Sequence, residues 1–418
     1  MKILLANSPF GGGGITTYAV QLIKCLSADS ELTVVLSDDK IAPIKDERVK
    51  VLYNDTKLLT IKNACYFIDL INNIIKPDVV IASAAPIIPV IAPFLNDSIK
   101  IITVSHSGRY YHSDYSSLNN KYIDKIIAAS SDYNKKYLEK KFNIKDDGKI
   151  QVIYNFLDKD KELEELRYVK RDQTPIKIIY AGGASVHKSP ELVAQIVCEL
   201  LKTNLDFRFF WMGKPTIPLT TTILRHSKLK SIKQLFPEDN RLVFPGFIPN
   251  KKDFDLLMGG ANIMLAPSHN EGCSMALLEG HRAGSIFIVS DYGNSNSEIV
   301  RKGNSGFVLD HNDVHEFVDV IRRIIENPSD YEYLYENSHN TFISFLSYDV
   351  WRTQLFNVIN HPLSHNRRRS HISSVALLLY ILRMKWLYYS SFVDIFFQLS
   401  LPSYITFRKL YRRIKQQK

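Results

Sequence analysis

The segment that decides the interpretation of this sequence is Pro267-Ser268-His269-Asn270-Glu271-Gly272-Cys273-Ser274-Met275-Ala276-Leu277-Leu278-Glu279. It follows a short apolar run at residues 263–266, which is typical of a buried strand, and from Met275 onward the pattern is helical. Glu271-Gly272 stands between the two and predicts the turn that joins them. A strand, a turn and a helix in this order are typical of a parallel α/β sheet.

The same segment offers two carboxylates and a row of backbone amides to one ligand. Glu271 and Glu279 would lie about 12 Å apart along a helix that rises 1.5 Å per residue. The helix start should present the amides of Cys273, Ser274 and Met275 to an anion. A sugar, a diphosphate and a ribose in line have a similar reach. Taken alone, however, each glutamate is better explained as an ordinary first-turn acid or a solvated helix acid.

Strand and helix patterns alternate along most of the chain. Short runs rich in isoleucine and valine predict strands at residues 2–6, 32–37, 79–83, 101–105 and 125–130, with helices at 15–26 and 64–75. After a charged stretch the pattern begins again, with strands at 177–181, 207–212, 241–244, 263–266 and 286–290 and helices at 190–201, 275–283 and 314–325. The sequence therefore predicts two doubly wound α/β units in series, with a boundary near residue 170.

A run of glycines, Gly11 to Gly14, follows the first predicted strand and opens a predicted helix. Glycines in such a loop let backbone N–H groups approach a phosphate, whose charge the helix dipole favours, although a plain flexible connection is also consistent. A dinucleotide-binding fingerprint needs a third glycine, where this chain has Thr16 or Thr17. Asp38 follows the glycine run at a sequence separation that suits a ribose contact, so a nicotinamide-dependent oxidoreductase is an alternative.

Size and composition limit the class of protein. A chain of 418 residues exceeds what one core usually supports, which predicts two domains. Hydrophobic residues make up 45% and charged residues 23%, and this balance excludes a disordered chain. The N-terminal apolar run is too short for a signal peptide, which predicts a cytoplasmic protein. Four dispersed cysteines without a C-x-x-C pair fit a reducing compartment rather than a zinc site or disulfide framework: Cys25, Cys65, Cys198 and Cys273.

The C-terminal segment at residues 364–418 carries eleven lysines and arginines against one acid, Asp394, which accounts for the whole formal net charge of +10. It is also aromatic, but Arg383 and Lys385 interrupt it, so no apolar run approaches the ~20 residues of a spanning helix. Such composition predicts contact with an anionic membrane surface, and the alternative is a helical pair packed on the body. The neutral remainder of the chain argues against nucleic acid as a partner.

In combination, these motifs resemble the family-four glycosyltransferases of the GT-B fold. The quoted segment is similar to the E-x7-E signature of that family. Further similar segments follow in order and spacing at 152–158, at 178–182 followed by Lys188, at 244–248, at 290–299 and at 345–351. The resemblance covers roughly residues 1–359. It implies two Rossmann-like domains that face each other across a cleft, an acceptor-side domain at 1–170 and a nucleotide-sugar domain at 171–343. The last helix, 344–363, would return to the first domain, and 364–418 would form the basic tail.

The resemblance also implies roles for individual residues. Glu271 would hold hydroxyls of the donor sugar near the reacting carbon, and Glu279 would bind the ribose hydroxyls. Lys188 would neutralise the diphosphate. His106 would face the donor sugar as a third catalytic residue beside Glu271 and Lys188. The other residues that the resemblance implies bind the donor: Gly13, Gly14, Gly246, Cys273, Ser274 and Met275.

One position departs from the family pattern. Gly183 stands where the family usually has arginine, so one of two phosphate cations is missing or is supplied elsewhere, with Arg109 and Lys214 as candidates. No cluster of metal-ligating residues is evident in the sequence. We therefore expect no metal cofactor, because Lys188 and helix dipoles would stabilise the charge that gathers on a departing nucleotide diphosphate.

The sequence thus predicts a retaining, hexosyltransferase-like enzyme that uses a nucleotide diphosphate sugar. The expected acceptor is a glycan or a lipid-linked molecule in cell-surface polysaccharide or lipopolysaccharide synthesis. The expected location is cytoplasmic, peripheral on the inner face of the membrane through residues 364–418. Two alternatives stay open, the oxidoreductase and a catalytically inactive GT-B scaffold that binds a membrane or a partner. The presence of Glu271, Glu279 and Lys188 argues against the scaffold.

Overall fold

A computed structural model describes residues 1–7, 14–37, 47–106, 115–145, 148–157, 174–183, 186–213, 231–269, 271–292, 294–363 and 373–387. The chain divides into two compact units. Unit 1 comprises Met1–Ile127, Tyr137–Gln151 and His361–Lys418, and unit 2 comprises Ala128–Lys136 and Val152–Asn360.

Unit 1 is built on a seven-stranded sheet with the order β3-β2-β1-β4-β5-β6-β7, and the strand pairs with a described register are parallel. Its strands are β1 (Lys2–Asn7), β2 (Glu31–Leu36), β3 (Val49–Tyr53), β4 (Val79–Ser83), β5 (Lys100–Ser105), β6 (Lys125–Ala128) and β7 (Ile150–Val152). Its helices are α1 (Gly14–Asp29), α2 (Ile61–Asp69, continued by a π-helical turn at Leu70–Ile75), α3 (Ile87–Ile91) and α4 (Lys136–Phe142).

The central strands of unit 1 form because they can be buried on both faces. All five residues of β4 are buried, as are all six of β5. Helix α1 covers the sheet with one apolar stripe, in which Leu22, Ile23 and Leu26 are at most 3% exposed. A continuous apolar strand is what a parallel sheet between two helical layers requires.

Unit 2 is built on a six-stranded sheet with the order β10-β9-β8-β11-β12-β13, again with parallel pairs. Its strands are β8 (Ile176–Ala181), β9 (Phe207–Met212), β10 (Leu242–Gly246), β11 (Ile263–Ala266), β12 (Ile286–Ser290) and β13 (Gly306–Leu309). Its helices are α5 (Pro190–Leu201), α6 (Lys251–Gly259), α7 (Met275–Arg282), α8 (Ser295–Gly303), α9 (Val314–Glu326), α10 (Glu332–Thr341) and α11 (Tyr348–Asn360).

The strands of unit 2 feed two cores, one on each face of the sheet. Successive residues of β8 alternate between them, since Ile178 packs with Val193 and Phe317 whereas Ile179 packs with Leu278 and other residues of the opposite layer. This alternation follows from the two-residue period of a strand. The two doubly wound α/β units predicted from the sequence are thereby confirmed.

Some predicted details differ from the observed elements. Strands β3, β7 and β13 were not predicted, and the helix predicted at 64–75 is an α-helix only to Asp69. The predicted boundary near residue 170 lies outside the described residues, while the units divide at Gln151 and Val152 and again at Asn360 and His361. Helix α11 packs within unit 2, where Trp351 stacks on Phe156 at 3.8 Å. Its return to the first domain stays a prediction.

Part of the basic tail is helical and packed. Helix α12 (residues 374–387) buries Leu377, Ile381 and Met384, and its Tyr380 contacts Phe94 of unit 1 edge-to-face at 6.1 Å. The side of α12 that carries Leu377, Ile381 and Met384 is therefore packed on the body of the protein, which was one of the two alternatives for the tail. Among the residues that the structure describes, no helix is long and apolar enough to cross a membrane.

Candidate functional site

The order of the second sheet places the predicted site at its switch point. The chain leaves β8 toward β9 and β10, and it returns across the sheet to β11 on the other side of β8. In open α/β sheets the loops at the carboxyl ends of two such strands diverge and leave a crevice. Lys188 follows β8 and Glu271 follows β11, so both stand at this point of the sheet.

The structure brings three of the predicted site residues together. The Lys188 ammonium group forms an ion pair with the Glu271 carboxylate and also donates to the Ser274 hydroxyl at 3.3 Å. The side chains of Lys188 and Glu271 are only 19% and 10% exposed. A cation and a carboxylate are thus held in contact at low solvent exposure, directly beside the residue that precedes α7.

The loop that carries Glu271 is held in place by hydrogen bonds from other segments. The Asn155 amide donates to the carbonyl of Cys273 at 2.7 Å, and the Ser295 hydroxyl donates to the carbonyl of Glu271 at 3.2 Å. The Asn294 amide donates to the carbonyl of Ser268 at 2.6 Å. Because these bonds hold the backbone on both sides of the turn, they position the main chain from which the Glu271 side chain extends.

A second set of contacts joins this loop to the Lys188 segment. The His269 backbone N–H donates to the carbonyl of His187 at 3.1 Å, and the His269 ring lies 3.2 Å from the Ser189 hydroxyl. Desolvation by the surrounding atoms lowers the pKa of His187 below its usual value, against the opposing effect of the Glu271 carboxylate. The two loops that supply Lys188 and Glu271 therefore form one connected structure.

Helix α7 starts at the position that an anion site requires. Ser274 precedes it with extended backbone, φ −70° and ψ 129°, and Met275 is its first residue. The first-turn N–H groups of a helix have no intrahelical partner, so its start favours negative charge. Glu279 is half-buried on the same helix. Burial raises the pKa of the Cys273 thiol to about 12, which keeps it neutral and excludes a thiolate at this turn near pH 7.

Three glycines at the carboxyl ends of β8, β9 and β10 have left-handed backbones: Gly183 (φ +57°), Gly213 (φ +98°) and Gly246 (φ +74°). A Cβ on Gly213 would meet the Gly183 nitrogen at 2.9 Å, whereas a Cβ on Gly246 would meet no described atom within 4 Å apart from its chain neighbours. Gly183 accepts a hydrogen bond from the Trp211 indole at 2.8 Å. Glycine adopts this left-handed backbone at position 183 without the strain that a side chain would cause.

Replacing Gly183 with alanine is expected to lower the free energy of unfolding by about 1–2 kcal/mol, because a side chain is strained in the left-handed region. The matched control is Gly260→Ala. Gly260 directly follows α6 and has a right-handed backbone, and a Cβ there would meet its nearest described atom at an ordinary contact distance of 3.5 Å. Urea denaturation of both variants measures the difference. Equal stability of the two variants would show that the left-handed backbone of Gly183 is not a constraint.

In unit 1, His106 follows β5 and is half-buried. Its Nε2 atom lies 3.0 Å from the Ser83 hydroxyl at the end of β4, and its ring meets Tyr18 of α1 edge-to-face at 5.0 Å. Gly14 is the first residue of α1, as the glycine-loop interpretation requires. Gly13 lies outside the described residues, as do Asp38, Arg109 and Lys214.

Sequence reasoning did not identify Ser83, Tyr18 or Ser295 as parts of these sites. Serine and tyrosine at strand ends and helix starts are common, so no local pattern distinguishes them. Asn294 and Ser295 did stand within a segment that resembles the family, and Asn155 within another, which was the available signal. Among the described residues, no group of three or more histidines, cysteines, aspartates or glutamates is placed to hold a metal ion.

The chain is thus an α/β protein with two parallel sheets, and it holds a half-buried cation and carboxylate at the switch point of the second sheet, where open α/β sheets bind their ligands. The sequence matches two family profiles, described as "Glycosyltransferase Family 4" over residues 12–161 and "Glycosyl transferases group 1" over residues 161–341. Together they cover most of the chain. The chain therefore belongs to the family-four, group 1 glycosyltransferases, which decides against the oxidoreductase alternative.

Individual proteins support the same family. A D-inositol 3-phosphate glycosyltransferase of a Nocardioides strain is 22% identical over 220 residues, which is 48% of this chain and 46% of that protein. The chain thus matches about half the length of this curated relative.

Among solved structures, HepE of Anabaena in complex with UDP superposes with a TM-score of 0.67 at 15% identity, covering 87% of this chain and all of that one. The lipopolysaccharide outer core galactosyltransferase WaaB gives a TM-score of 0.64 at 18% identity, covering 86% and 99%. These likenesses confirm the predicted GT-B class of fold.

Proposed function

We propose that this protein is a retaining glycosyltransferase that moves a sugar from a nucleotide diphosphate donor to a glycan or lipid-linked acceptor. The observation that carries the proposal is the contact of Lys188 with both Glu271 and Ser274 at the switch point of the second sheet. One small region there combines a cation, a carboxylate and a helix start. These groups are complementary to a sugar diphosphate, whose phosphates carry negative charge and whose sugar offers hydroxyl donors to a carboxylate.

The chemical argument concerns the leaving group. Negative charge gathers on the departing diphosphate as the glycosidic bond breaks, so fixed positive groups stabilise the transition state more than the ground state. Lys188 supplies a full charge, and the amides of Cys273, Ser274 and Met275 supply the positive end of α7. Because these groups are held in place by hydrogen bonds to other segments, little reorganisation is needed during the reaction. We expect no metal cofactor, because Lys188 and the start of α7 would stabilise the charge of the diphosphate.

The remaining roles are those that the resemblance to the family implies. Glu271 would bind hydroxyls of the donor sugar, and Glu279, further along α7, would bind those of the ribose. The space at Gly246 would accommodate the rest of the nucleotide, since no atom of the described residues beyond its chain neighbours lies within 4 Å of its Cβ position. From the first unit, His106 would contact the sugar and the amides of Gly13 and Gly14 the diphosphate.

The chemistry of the acceptor is proposed from the relatives and from the charge of the tail. One structural relative is a galactosyltransferase of the lipopolysaccharide outer core, and one curated relative is a D-inositol 3-phosphate glycosyltransferase. Residues 364–418 of this chain concentrate the whole net positive charge. Basic segments are attracted to anionic lipid headgroups. We infer a role in cell-surface polysaccharide or lipopolysaccharide synthesis, at the cytoplasmic face of the membrane.

A nucleotide-binding experiment tests the proposed function. A panel of nucleoside diphosphates and nucleotide sugars should include at least one that raises the melting temperature, because a ligand at 100 times its Kd adds about 2.7 kcal/mol of stability. NAD should give no shift, and EDTA should leave sugar transfer unchanged. The anomeric configuration of the product, read by NMR, tests retention. Protection by NAD alone, with no response to any nucleoside diphosphate, would overturn the proposal.

A further inference from the structure

Helix α12 has two apolar sides, and one of them faces outward. At about 100° per residue, Leu377, Ile381 and Met384 share the side that is buried, with exposures of 0%, 2% and 3%. This side fixes the helix to unit 1, where Tyr380 contacts Phe94. A helix held by one apolar side alone would be expected to carry polar residues on the other.

The opposite side carries a second apolar stripe. Its members are Val375, Leu379, Leu382 and Trp386, which are 70%, 60%, 51% and 72% exposed. We call these four residues the outer stripe. They fall within about 60° around the helix and extend about 16 Å along it, at 1.5 Å per residue. A continuous exposed apolar surface of this kind marks an interaction site rather than scattered surface residues.

The charges around the outer stripe indicate the kind of partner. Arg383 and Lys385 lie about 80° to either side of Val375 around the helix, so cations border the stripe on both flanks. Three arginines precede the helix at 367–369, and six further lysines and arginines lie at 408–418. Asp394 is the one acid of the entire segment. A second copy of this chain would present the same positive charge, and like charges oppose such pairing.

We propose that the outer stripe docks on the surface of an anionic lipid bilayer, with α12 lying in the plane of the interface. The apolar side chains would enter the acyl boundary, and Arg383 and Lys385 would extend to the phosphate groups. Trp386 suits this depth because its amphipathic ring favours the headgroup level. The inference rests on the proposed membrane contact of residues 364–418 and names the face that makes it. The side fixed to unit 1 would then hold that unit against the membrane.

Tryptophan fluorescence of the full-length protein tests the docking directly. The chain has three tryptophans, of which Trp211 and Trp351 are at most 1% exposed, so Trp386 dominates any change of environment. Vesicles of phosphatidylglycerol and phosphatidylcholine should shift the emission to shorter wavelength and protect it from acrylamide, whereas pure phosphatidylcholine should do so weakly. The Trp386→Phe variant should bind vesicles in a flotation assay but show no spectral shift.

A pair of double variants separates the stripe from the charge. L379E/L382E should lower partitioning into anionic vesicles at least about 30-fold, since each leucine contributes the transfer of a large apolar side chain. The matched control is L58E/I74E, which makes the same charge change at two exposed apolar residues of unit 1, 47% and 63% exposed. The control should bind like the parent. Melting temperatures of both should equal that of the parent.

Three results would overturn the proposal. Equal binding of L379E/L382E and the parent would show that charge alone attaches the tail. No vesicle binding by the parent, together with a dimer that L379E/L382E dissociates, would make a second copy the partner. No vesicle binding together with a lower melting temperature of L379E/L382E would show that the chain itself covers the stripe. Nucleotide binding, measured on the same samples, should be unchanged, so the docking and the sugar-transfer proposals fail separately.

Discussion

Changing Glu271 to glutamine is expected to lower turnover at least about 100-fold, comparable to the loss of one preorganised electrostatic contact. The substitution preserves the shape of the side chain and removes its charge. Glu271 lies at 10% exposure against Lys188, where charge interactions are weakly screened by solvent. A neutral amide would hold the donor hydroxyls less strongly and would leave the Lys188 ammonium without its anionic partner.

The measurement compares steady-state turnover with the melting temperature. Glutamine can still accept a hydrogen bond from Lys188, and the backbone bonds at Cys273 and Glu271 do not involve the carboxylate. We therefore expect a folded variant. Glu326→Gln, at an exposed position in the last turn of α9, is the matched control and should keep parental turnover. Near-parental turnover of Glu271→Gln would remove Glu271 from the catalytic site.

The fold could be predicted where burial imposes a strong pattern. Strands β4 and β5 are buried along their whole length, and such short runs of isoleucine and valine are distinctive. Strand β13 is only four residues, begins with a glycine and is mostly half-buried, so its sequence differs little from a loop. The same reasoning explains β3, where one of five residues is buried. Helix α12 shows a different limit, because a sequence with two apolar sides does not reveal which of them packs.

The chemistry of the site could be predicted only in part. Glu271 and the start of α7 belong to one continuous segment, so the sequence places them together. Their contact with Lys188 depends on β8 and β11 being neighbours, which is a property of strand order and not of local sequence. The bond from Asn155 to Cys273 joins residues 118 positions apart for the same reason. Family resemblance supplied these residues as motifs, and the geometry supplies their connections.

Changing Lys188 to alanine is expected to lower kcat/KM about 100-fold and to reduce kcat as well as affinity, because the charge on the diphosphate grows as the bond breaks. Glu279→Gln should behave differently. A ribose contact made equally in the ground and transition states affects KM and leaves kcat nearly unchanged. The two variants thus distinguish a group that stabilises the leaving diphosphate from one that only binds the nucleotide.

Steady-state kinetics and calorimetric titration with the donor's nucleoside diphosphate measure both effects. Lys202→Ala is the matched control, since Lys202 directly follows α5, the helix that begins just after Lys188. Its side chain is 68% exposed and forms a surface ion pair with Glu199 at 2.7 Å. Exposed pairs of this kind contribute about 0–1 kcal/mol, so the control should retain parental kinetics. In the Lys188→Ala variant only the dipole of α7 would attract the diphosphate. The affinity for the nucleoside diphosphate should therefore fall more than it does in Glu279→Gln. Parental affinity in both variants would mean that the diphosphate binds elsewhere, and the switch point of the second sheet would then not be the donor site.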